Sequence, residues 1–318
     1  MKLQWDILLN DDARFPRLLS FGEFSDERFR YGINAQMQYC LYFYFEEVHS
    51  LPIEPQIRAN ISLEEKLEEG RKALVLTLLN DNAKNLFSDL IISIVSQTRA
   101  INKHSAKTDF VMLCNEWFEL FEPLSGQLSK SEIQGVFAEL SFLKYLLLNS
   151  RFNYNDILHS WKGPFGKGHD FELSDNHFEI KGISEYKSSV QISSEYQLDY
   201  LNGQRLFLGV IEFGSKEAEP ATIAQLVDEI AIVLRSVSNS NMSHFWTCLG
   251  KAGIKYNMLK DYDQYQFALK NIFWYDCAAV GFPALKRSEL SDAIQNAEYE
   301  ISLSGIKHYL INDIRPFV

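Results

Sequence analysis

The alternation of apolar and polar residues in the middle of the chain predicts a β-hairpin. Phe171 and Leu173 alternate with polar residues, and Phe178 and Ile180 repeat the pattern after a stretch of turn-forming residues. These four side chains share a core-facing side only if the connecting loop holds an even number of residues, most simply residues 175–176. The pattern therefore predicts two strands with one apolar face and one polar face.

The polar face of this hairpin concentrates charge. In the predicted register, four charged residues lie within cross-strand or diagonal reach of one another: Asp170, Glu172, Glu179 and Lys181. Three carboxylates and one ammonium in so small a space are unfavourable unless a cation lies among them. The hairpin therefore predicts a metal site.

A long helix is predicted ahead of the hairpin. Ser129 with Glu132 and Ser131 with Gln134 both fit a capping box, and the helical pattern continues to about Asn149. Apolar residues form a stripe along this helix at i, i+4 and i+7 spacing: Val136, Leu140, Leu143 and Leu147.

Glu139 lies against that apolar stripe. A carboxylate in this position is uncommon unless it is paired or binds a metal ion. The alternatives are that Glu139 extends to the edge of the helix or pairs with a lysine. Gly135, one turn earlier on the same face, would leave room for another element to approach.

Patterns elsewhere predict a mixed α/β chain. Before the long helix, strand-like patterns cover residues 30–45 and 72–79, and helical patterns cover 82–97 and 107–120. After the hairpin come a strand at 188–193, a helix capped by Ser194 and Gln197, a strand at 206–213 and an amphipathic helix at 222–237. The best boundary signal is the turn-rich stretch 122–126, and the aromatic-rich segment 241–318 is expected to pack on the core as an extension.

Composition and charge limit the classes of function. The chain has 318 residues and a formal net charge of −11, which argues against a surface that coats nucleic acid indiscriminately but allows a local basic groove. Its four cysteines form no CxxC pair and its start lacks a secretion signal, so we expect a cytoplasmic protein with free thiols. No apolar stretch is long enough to span a membrane. The seven histidines are dispersed, which disfavours a zinc site, and His169 and His177 are interpreted as ordinary loop and strand histidines rather than general acids.

The helical Glu139, then Asp170, then Glu179-Ile180-Lys181 on the next strand, resemble the signature of the PD-(D/E)XK nuclease superfamily. Five segments more closely resemble a bacterial family of PD-(D/E)XK motif proteins associated with restriction-like and phage-defence gene clusters: 134–140, 161–164, 169–171, 179–181 and 192–195. The resemblance covers about residues 130–200, and His169 stands where the signature has a nominal proline.

The resemblance implies a restriction-endonuclease-like α/β fold, in which helices flank a mixed β-sheet core. The expected domains are an N-terminal α/β domain at 1–125 and a nuclease-like domain at 126–318, with its motif core at 130–240 and a C-terminal extension at 241–318.

The resemblance also implies roles for individual residues. Asp170 and Glu179 would hold Mg²⁺, with Mn²⁺ as a substitute, and Glu139 would position a water or a second ion. Lys181 would orient or deprotonate the attacking water, or stabilise developing negative charge. Gln191 would hydrogen-bond the substrate or Lys181, or is simply an exposed strand residue. Glu172 is outside the resemblance and is expected to be solvated or to support the other carboxylates.

The implied function is a Mg²⁺-dependent DNA endonuclease of a restriction or phage-defence system. The alternative is a catalytically silent, nuclease-like DNA-binding or assembly subunit, and sequence does not separate DNA from RNA as the target. The expected partners are DNA, a second copy of the chain, and operon-encoded ATPase or methyltransferase subunits, with no membrane.

Overall fold

The chain divides into two compact units. The computed structural model describes residues 3–9, 14–22, 27–46, 52–68, 70–98, 106–122, 126–166, 168–201, 203–214, 219–237 and 241–318. The first unit comprises residues 1–125 and 255–257, and the second comprises 126–254 and 258–318. Most of the boundary signal at 122–126 lies outside the described residues. None of the helices in the described part of the chain combines the length and apolar character that a membrane span requires.

The first unit contains a six-stranded antiparallel sheet in the order β1-β2-β3-β6-β5-β4. Its elements in chain order are α1 (Trp5–Leu8), β1 (Arg17–Leu19), β2 (Phe29–Ile33), β3 (Tyr39–Tyr44), β4 (Gln56–Ile57), β5 (Ile61–Glu68), β6 (Arg71–Leu78), α2 (Lys84–Thr98) and α3 (Ala106–Phe118). The strands predicted at 30–45 and 72–79 and the helices predicted at 82–97 and 107–120 are confirmed, with 30–45 forming the β2–β3 hairpin.

The second unit contains the predicted hairpin and the long helix. Its elements in chain order are α4 (Lys130–Asn149), α5 (Tyr154–Ser160), β7 (Phe171–Leu173), β8 (Asn176–Ser184), β9 (Ser189–Ile192), β10 (Arg205–Phe213), β11 (Ala221–Thr222), α6 (Ile223–Arg235), α7 (Met242–Lys251), β12 (Gln266–Phe267), β13 (Leu269–Asp276), β14 (Tyr299–Ser302) and β15 (Leu310–Ile311). The mixed α/β class predicted from sequence is therefore confirmed.

A five-stranded mixed sheet forms the core of the second unit, in the order β15-β13-β10-β8-β7. The β8–β10 pair is parallel and the other pairs are antiparallel. The central strand β10 is buried along nearly its whole length, as its apolar run predicts. The segment 241–318 supplies β13 and β15, so it is part of this sheet rather than an extension packed against it. The strand β9 pairs with β14 in a separate two-stranded sheet.

The helix α4 packs against β8. Of the two possible capping boxes, Ser129 with Glu132 forms, and the helix ends at Asn149 as predicted. The close approach occurs at Gly182, where a Cβ would lie 3.0 Å from the carbonyl oxygen of Gln134. A Cβ at Gly135 would meet nothing within 4 Å, so the expectation that Gly135 admits another element is wrong.

The β7–β8 hairpin turns one residue earlier than predicted. Phe171 pairs with Phe178 and Leu173 with Asn176, so the turn is at residues 174–175, with Ser174 at a φ of 57°. The carbonyl of Asp175 accepts a hydrogen bond from the Arg205 amide, and this contact with β10 favours the observed turn. The pairing shifts by two residues, which leaves every side chain on its predicted face.

The helix predicted after Ser194 is wrong. The segment 194–199 forms turns, and Gln197 accepts hydrogen bonds from the Ser193 amide and from the Lys181 ammonium. A capping pattern therefore occurs here without a helix, because the glutamine side chain is held by a residue of β8.

Candidate active site

Four residues of the predicted signature meet at one end of the β7–β8 hairpin. Glu139 comes from the middle of α4, Asp170 immediately precedes β7, and Glu179 and Lys181 lie two residues apart on β8. Side chains two residues apart on a strand point to the same face, so Glu179 and Lys181 face the same side of the sheet. The Lys181 Nζ lies 2.8 Å from the Glu179 Oε1.

Asp170 is fixed by backbone hydrogen bonds. Its Oδ2 accepts a hydrogen bond of 2.7 Å from the Ile180 amide, between the two signature residues of β8. Its own carbonyl accepts from the amides of Lys162 at 2.8 Å and Gly163 at 3.1 Å. The carboxylate of Asp170 is therefore positioned by both β8 and the loop before β7.

Gly163 brings Glu139 and Asp170 together. A Cβ at this position would lie 2.5 Å from the Glu139 Oε2 and 2.9 Å from the Asp170 Oδ1. A side chain at this position would have to displace both carboxylates, one of which the Trp161 indole holds in place. Gly163 thus has a defined role in the geometry of the cluster.

The indole of Trp161 orients Glu139. Its Nε1 donates a hydrogen bond of 2.7 Å to the Glu139 Oε2. The ring is fully buried and stacks at 6.4 Å on Phe171 of β7. The alternative that Glu139 extends to the edge of the helix is therefore wrong. Glu139 faces the other acidic residues from a fixed position.

Glu179 is the most deeply buried of the three carboxylates, with 1% of its surface exposed. Among the described residues, the Lys181 ammonium, 2.8 Å away in an ion pair, is the one partner of its Oε1. A buried carboxylate oxygen with a single partner keeps a lone pair available for another ligand.

The cluster carries more negative charge than its surroundings stabilise. Burial, followed by the charge of Asp170, raises the pKa of Glu179 to about 8. Burial and Asp170 likewise raise the pKa of Glu139 well above its usual range, and burial raises that of Asp170. Burial alone would lower the pKa of Lys181, but Glu179 and Asp170 outweigh it and the pKa is raised.

This donor set fits a hard divalent cation. Carboxylate oxygens are the protein ligands that Mg²⁺ prefers, and one or two of them are enough because Mg²⁺ keeps several waters. Glu139 and Asp170 both remain partly accessible to solvent, whereas Glu179 is enclosed. The cluster is thus open on the side of Glu139 and Asp170.

The glutamine beside Lys181 is Gln197, which the sequence pattern indicates only as a helix-capping residue. Its Oε1 accepts a hydrogen bond of 3.0 Å from the Lys181 Nζ. Gln191 is exposed on β9, opposite Glu300 of β14, and no hydrogen bond joins it to Lys181 in the described part of the chain. Val190 and Ile192 are buried on either side of it, so Gln191 is an exposed strand residue, which is one of the alternatives that the sequence left open.

Glu172 belongs to a second cluster. It lies opposite His177 in the hairpin and close to His169, and both histidines are buried. The two Nδ1 atoms of the histidines are 3.0 Å apart. Burial lowers the pKa of both rings, and for His169 the neighbouring His177 lowers it further. Glu172 therefore shares the polar face, as predicted, but faces imidazoles rather than the other carboxylates.

Comparison with known proteins identifies one similarity. Residues 4–304 match the family described as "Putative PD-(D/E)XK family member, (DUF4420)". The match extends beyond residues 130–200, where the motifs lie, and includes both units. No curated protein and no solved structure matches the chain.

Proposed function

The chain belongs to the DUF4420 family, described as "Putative PD-(D/E)XK family member", which it matches over residues 4–304, and from this premise we propose that it is a Mg²⁺-dependent nuclease. It hydrolyses phosphodiester bonds in DNA as an endonuclease, within a bacterial restriction or phage-defence system. The observation that carries the proposal is the buried Glu179 carboxylate, whose Oε1 has the Lys181 ammonium as its one partner among the described residues, beside Asp170 and Glu139.

Asp170 and Glu179 would hold the metal ion, with Glu139 on its open side. When bound, Mg²⁺ supplies a Lewis acid that offsets charge on the phosphate and makes water a better nucleophile at neutral pH. The raised pKa values of the three carboxyls support this assignment, because a dication would favour their charged forms.

Lys181 would stabilise negative charge on the substrate phosphate. Its raised pKa keeps the ammonium protonated, and a protonated lysine donates hydrogen bonds rather than accepting a proton. Glu179 and Gln197 hold the Nζ from two sides, so the ammonium is positioned before substrate arrives. Of the roles open to this lysine, charge stabilisation is the one that we propose.

Glu139 would accept a proton from the attacking water. The Trp161 indole occupies its Oε2, which leaves Oε1 as the atom that would receive the proton. Burial and the charge of Asp170 raise the pKa of Glu139 well above its usual range, which makes its carboxylate a stronger base than an ordinary glutamate.

The test is cleavage of supercoiled plasmid and of single-stranded oligonucleotides in Mg²⁺ or Mn²⁺. We expect Asp170→Asn and Lys181→Met each to reduce the rate by at least about 100-fold. The matched controls remove an ion pair elsewhere in the same unit, where Lys144 Nζ and Glu229 Oε2 lie 2.6 Å apart. Lys144→Met and Glu229→Gln should cleave at the wild-type rate.

Cleavage that survives both Asp170→Asn and Lys181→Met would refute the assignment of the site. Failure of the wild type to cleave, with DNA binding that persists in EDTA, would refute the nuclease and favour a silent DNA-binding subunit. Cleavage of RNA alone would refute the proposed substrate while leaving the chemistry intact.

A further inference from the structure

Three side chains with metal-binding atoms meet on the polar face of the hairpin, next to the candidate active site. The ligand atoms of His169, Glu172 and His177 all lie within 4.8 Å of one another. In the described part of the chain, no other three residues of this kind come so close together. The two histidines are 6% and 7% exposed, so most of the surface of each imidazole is shielded from bulk water.

The hydrogen bonds of His169 define where its proton lies. Its Nε2 is 2.8 Å from the carbonyl oxygen of Asp199, and since a carbonyl only accepts, Nε2 carries the hydrogen. In the neutral ring, Nδ1 then carries no hydrogen, and its lone pair accepts the hydrogen bond of 3.0 Å that the His177 Nδ1 donates. An imidazole that donates one N–H to a backbone carbonyl while offering the other nitrogen is the arrangement that orients metal-binding histidines.

The distance between the two histidines is also close to that of two ligands on one ion. Their Nδ1 atoms are 3.0 Å apart. Two nitrogens bound to a tetrahedral Zn²⁺ at the usual bond length are about 3.3 Å apart. If the His177 proton moves from Nδ1 to Nε2, a small movement of either ring would let both Nδ1 lone pairs bind one ion.

The fold brings Glu172 to the same point. It pairs directly with His177 across the β7–β8 ladder, which places both side chains on one face. A Cβ at Gly168 would lie 2.2 Å from the Glu172 Oε1, so the glycine, at a φ of +72°, provides the space for this carboxylate. No described residue donates a hydrogen bond to Glu172, which leaves its oxygens available.

We propose that His169, Glu172 and His177 form a binding site for a transition-metal dication, with Zn²⁺ as the best fit, distinct from the carboxylate site for Mg²⁺. Two imidazole nitrogens and one carboxylate are a donor set that suits zinc and leaves a fourth position for water. The ion would connect the two hairpin strands to the residue immediately before Asp170. It would therefore stabilise the position of the loop that delivers Asp170.

The sequence pattern does not predict this site, because the spacing of the three residues is not that of a zinc motif. His169, Glu172 and His177 do not follow a helical or paired Cys/His repeat, and they converge only when the hairpin forms. The proposal is independent of nuclease activity, since it requires only these three side chains.

The test is Zn²⁺ binding by the full chain after removal of metal, measured by competition with a chromophoric chelator. We expect a single Zn²⁺ per chain, with His177→Gln lowering the affinity at least about 100-fold and Glu172→Gln at least about 10-fold. Asp170→Asn, which alters the carboxylate site, should retain the Zn²⁺. X-ray absorption of the bound ion should show two imidazole nitrogens at about 2.0–2.1 Å.

Equal affinity in the wild type and in both substitutions at this cluster would overturn the proposal. Loss of Zn²⁺ only in Asp170→Asn would overturn it too, because the ion would then belong to the carboxylates. Circular dichroism checks that His177→Gln is folded. Glu172→Gln gives a second variant, since this partly exposed residue has no hydrogen-bond donor among the described residues and its loss should not unfold the hairpin.

Discussion

Replacing Glu179 by glutamine should stabilise the metal-free protein, and the gain should grow with pH. In the unfolded chain this carboxyl ionises near its ordinary value of 4.5, whereas burial raises its pKa in the folded protein to about 8. Between these values the folded state binds more protons than the unfolded state, so the free energy of unfolding falls as pH rises. Glutamine has no charge to bury and avoids this loss.

The magnitude follows from the same two values. The difference between 4.5 and about 8 corresponds to at most ~5 kcal/mol of stability lost by pH 8. Asp170 and Lys181 interact with Glu179 and readjust when it is replaced, so we expect the variant to gain roughly 2 kcal/mol relative to wild type between pH 5 and pH 8. The raised pKa of Lys181 contributes stability that is constant over this range, because it is lost only at alkaline pH.

The difference between variant and wild type isolates Glu179 from the histidines. The lowered pKa values of His169 and His177 make stability rise with pH near neutrality, which opposes the carboxyl effect in either protein alone. This contribution is common to both proteins and cancels in the difference.

The assay is urea unfolding in EDTA at several pH values. Unfolding is monitored by hydrogen-exchange labelling of peptides from β8 and β10. These peptides report on the unit that contains the site. Glu229→Gln removes an exposed carboxylate of the same unit and controls for the loss of one charge. The measured quantity is the free energy of unfolding of Glu179→Gln minus that of the wild type. If this difference stays constant from pH 5 to pH 8, or falls as pH rises, the argument that burial destabilises the charged form of Glu179 is refuted.

Three further predictions concern the same site. At a Mg²⁺ concentration 100 times its dissociation constant, binding should add about 2.7 kcal/mol to the free energy of unfolding of the wild type. Calorimetry should therefore show a higher thermal midpoint for the wild type and little change for Asp170→Asn. In cleavage assays Gln197→Ala should lower kcat by roughly 10-fold through the lost hydrogen bond to the ammonium, and a larger loss for Gln191→Ala would contradict this. Gly163→Ala should abolish cleavage and destabilise the fold because its Cβ meets two carboxylates, whereas Gly135→Ala, with open space around it, should stabilise its helix by about 0.5–1 kcal/mol in denaturant titrations.

The secondary structure was predictable wherever the periodicity was strong. The pattern predicts the end of helix α4 at about Asn149, and one of its two possible capping boxes marks the observed start. The helix α5 and the turns at 194–199 were not predicted, because α5 is short and Gln197 has a tertiary partner that local patterns do not show. The aromatic run of β13 likewise suggested packing rather than a strand beside β10.

The sequence predicts which face of the hairpin carries the candidate site, but not the contacts between the site residues. Glu179 and Lys181 are two residues apart on β8, so both face the same side of the sheet. The observed pairing differs from the predicted one by two residues, so the error in the turn leaves this face unchanged. The approach of Glu139 depends on Gly163 and on the Trp161 indole, which are distant in sequence from α4. The separation of Glu172 from the other carboxylates depends on two histidines that sequence spacing gives no reason to group.

The position of β13 in the sheet affects how the protein is made. On the ribosome, β8 and β10 are complete well before β13, because residues 214–268 must first be synthesised. At the usual rate of translation this takes several seconds, during which an apolar strand presents an unpaired edge. A nascent or truncated chain that stops in this interval has the signature residues but not the strand that covers β10, so we expect it to aggregate or to require a chaperone rather than to fold into an active fragment.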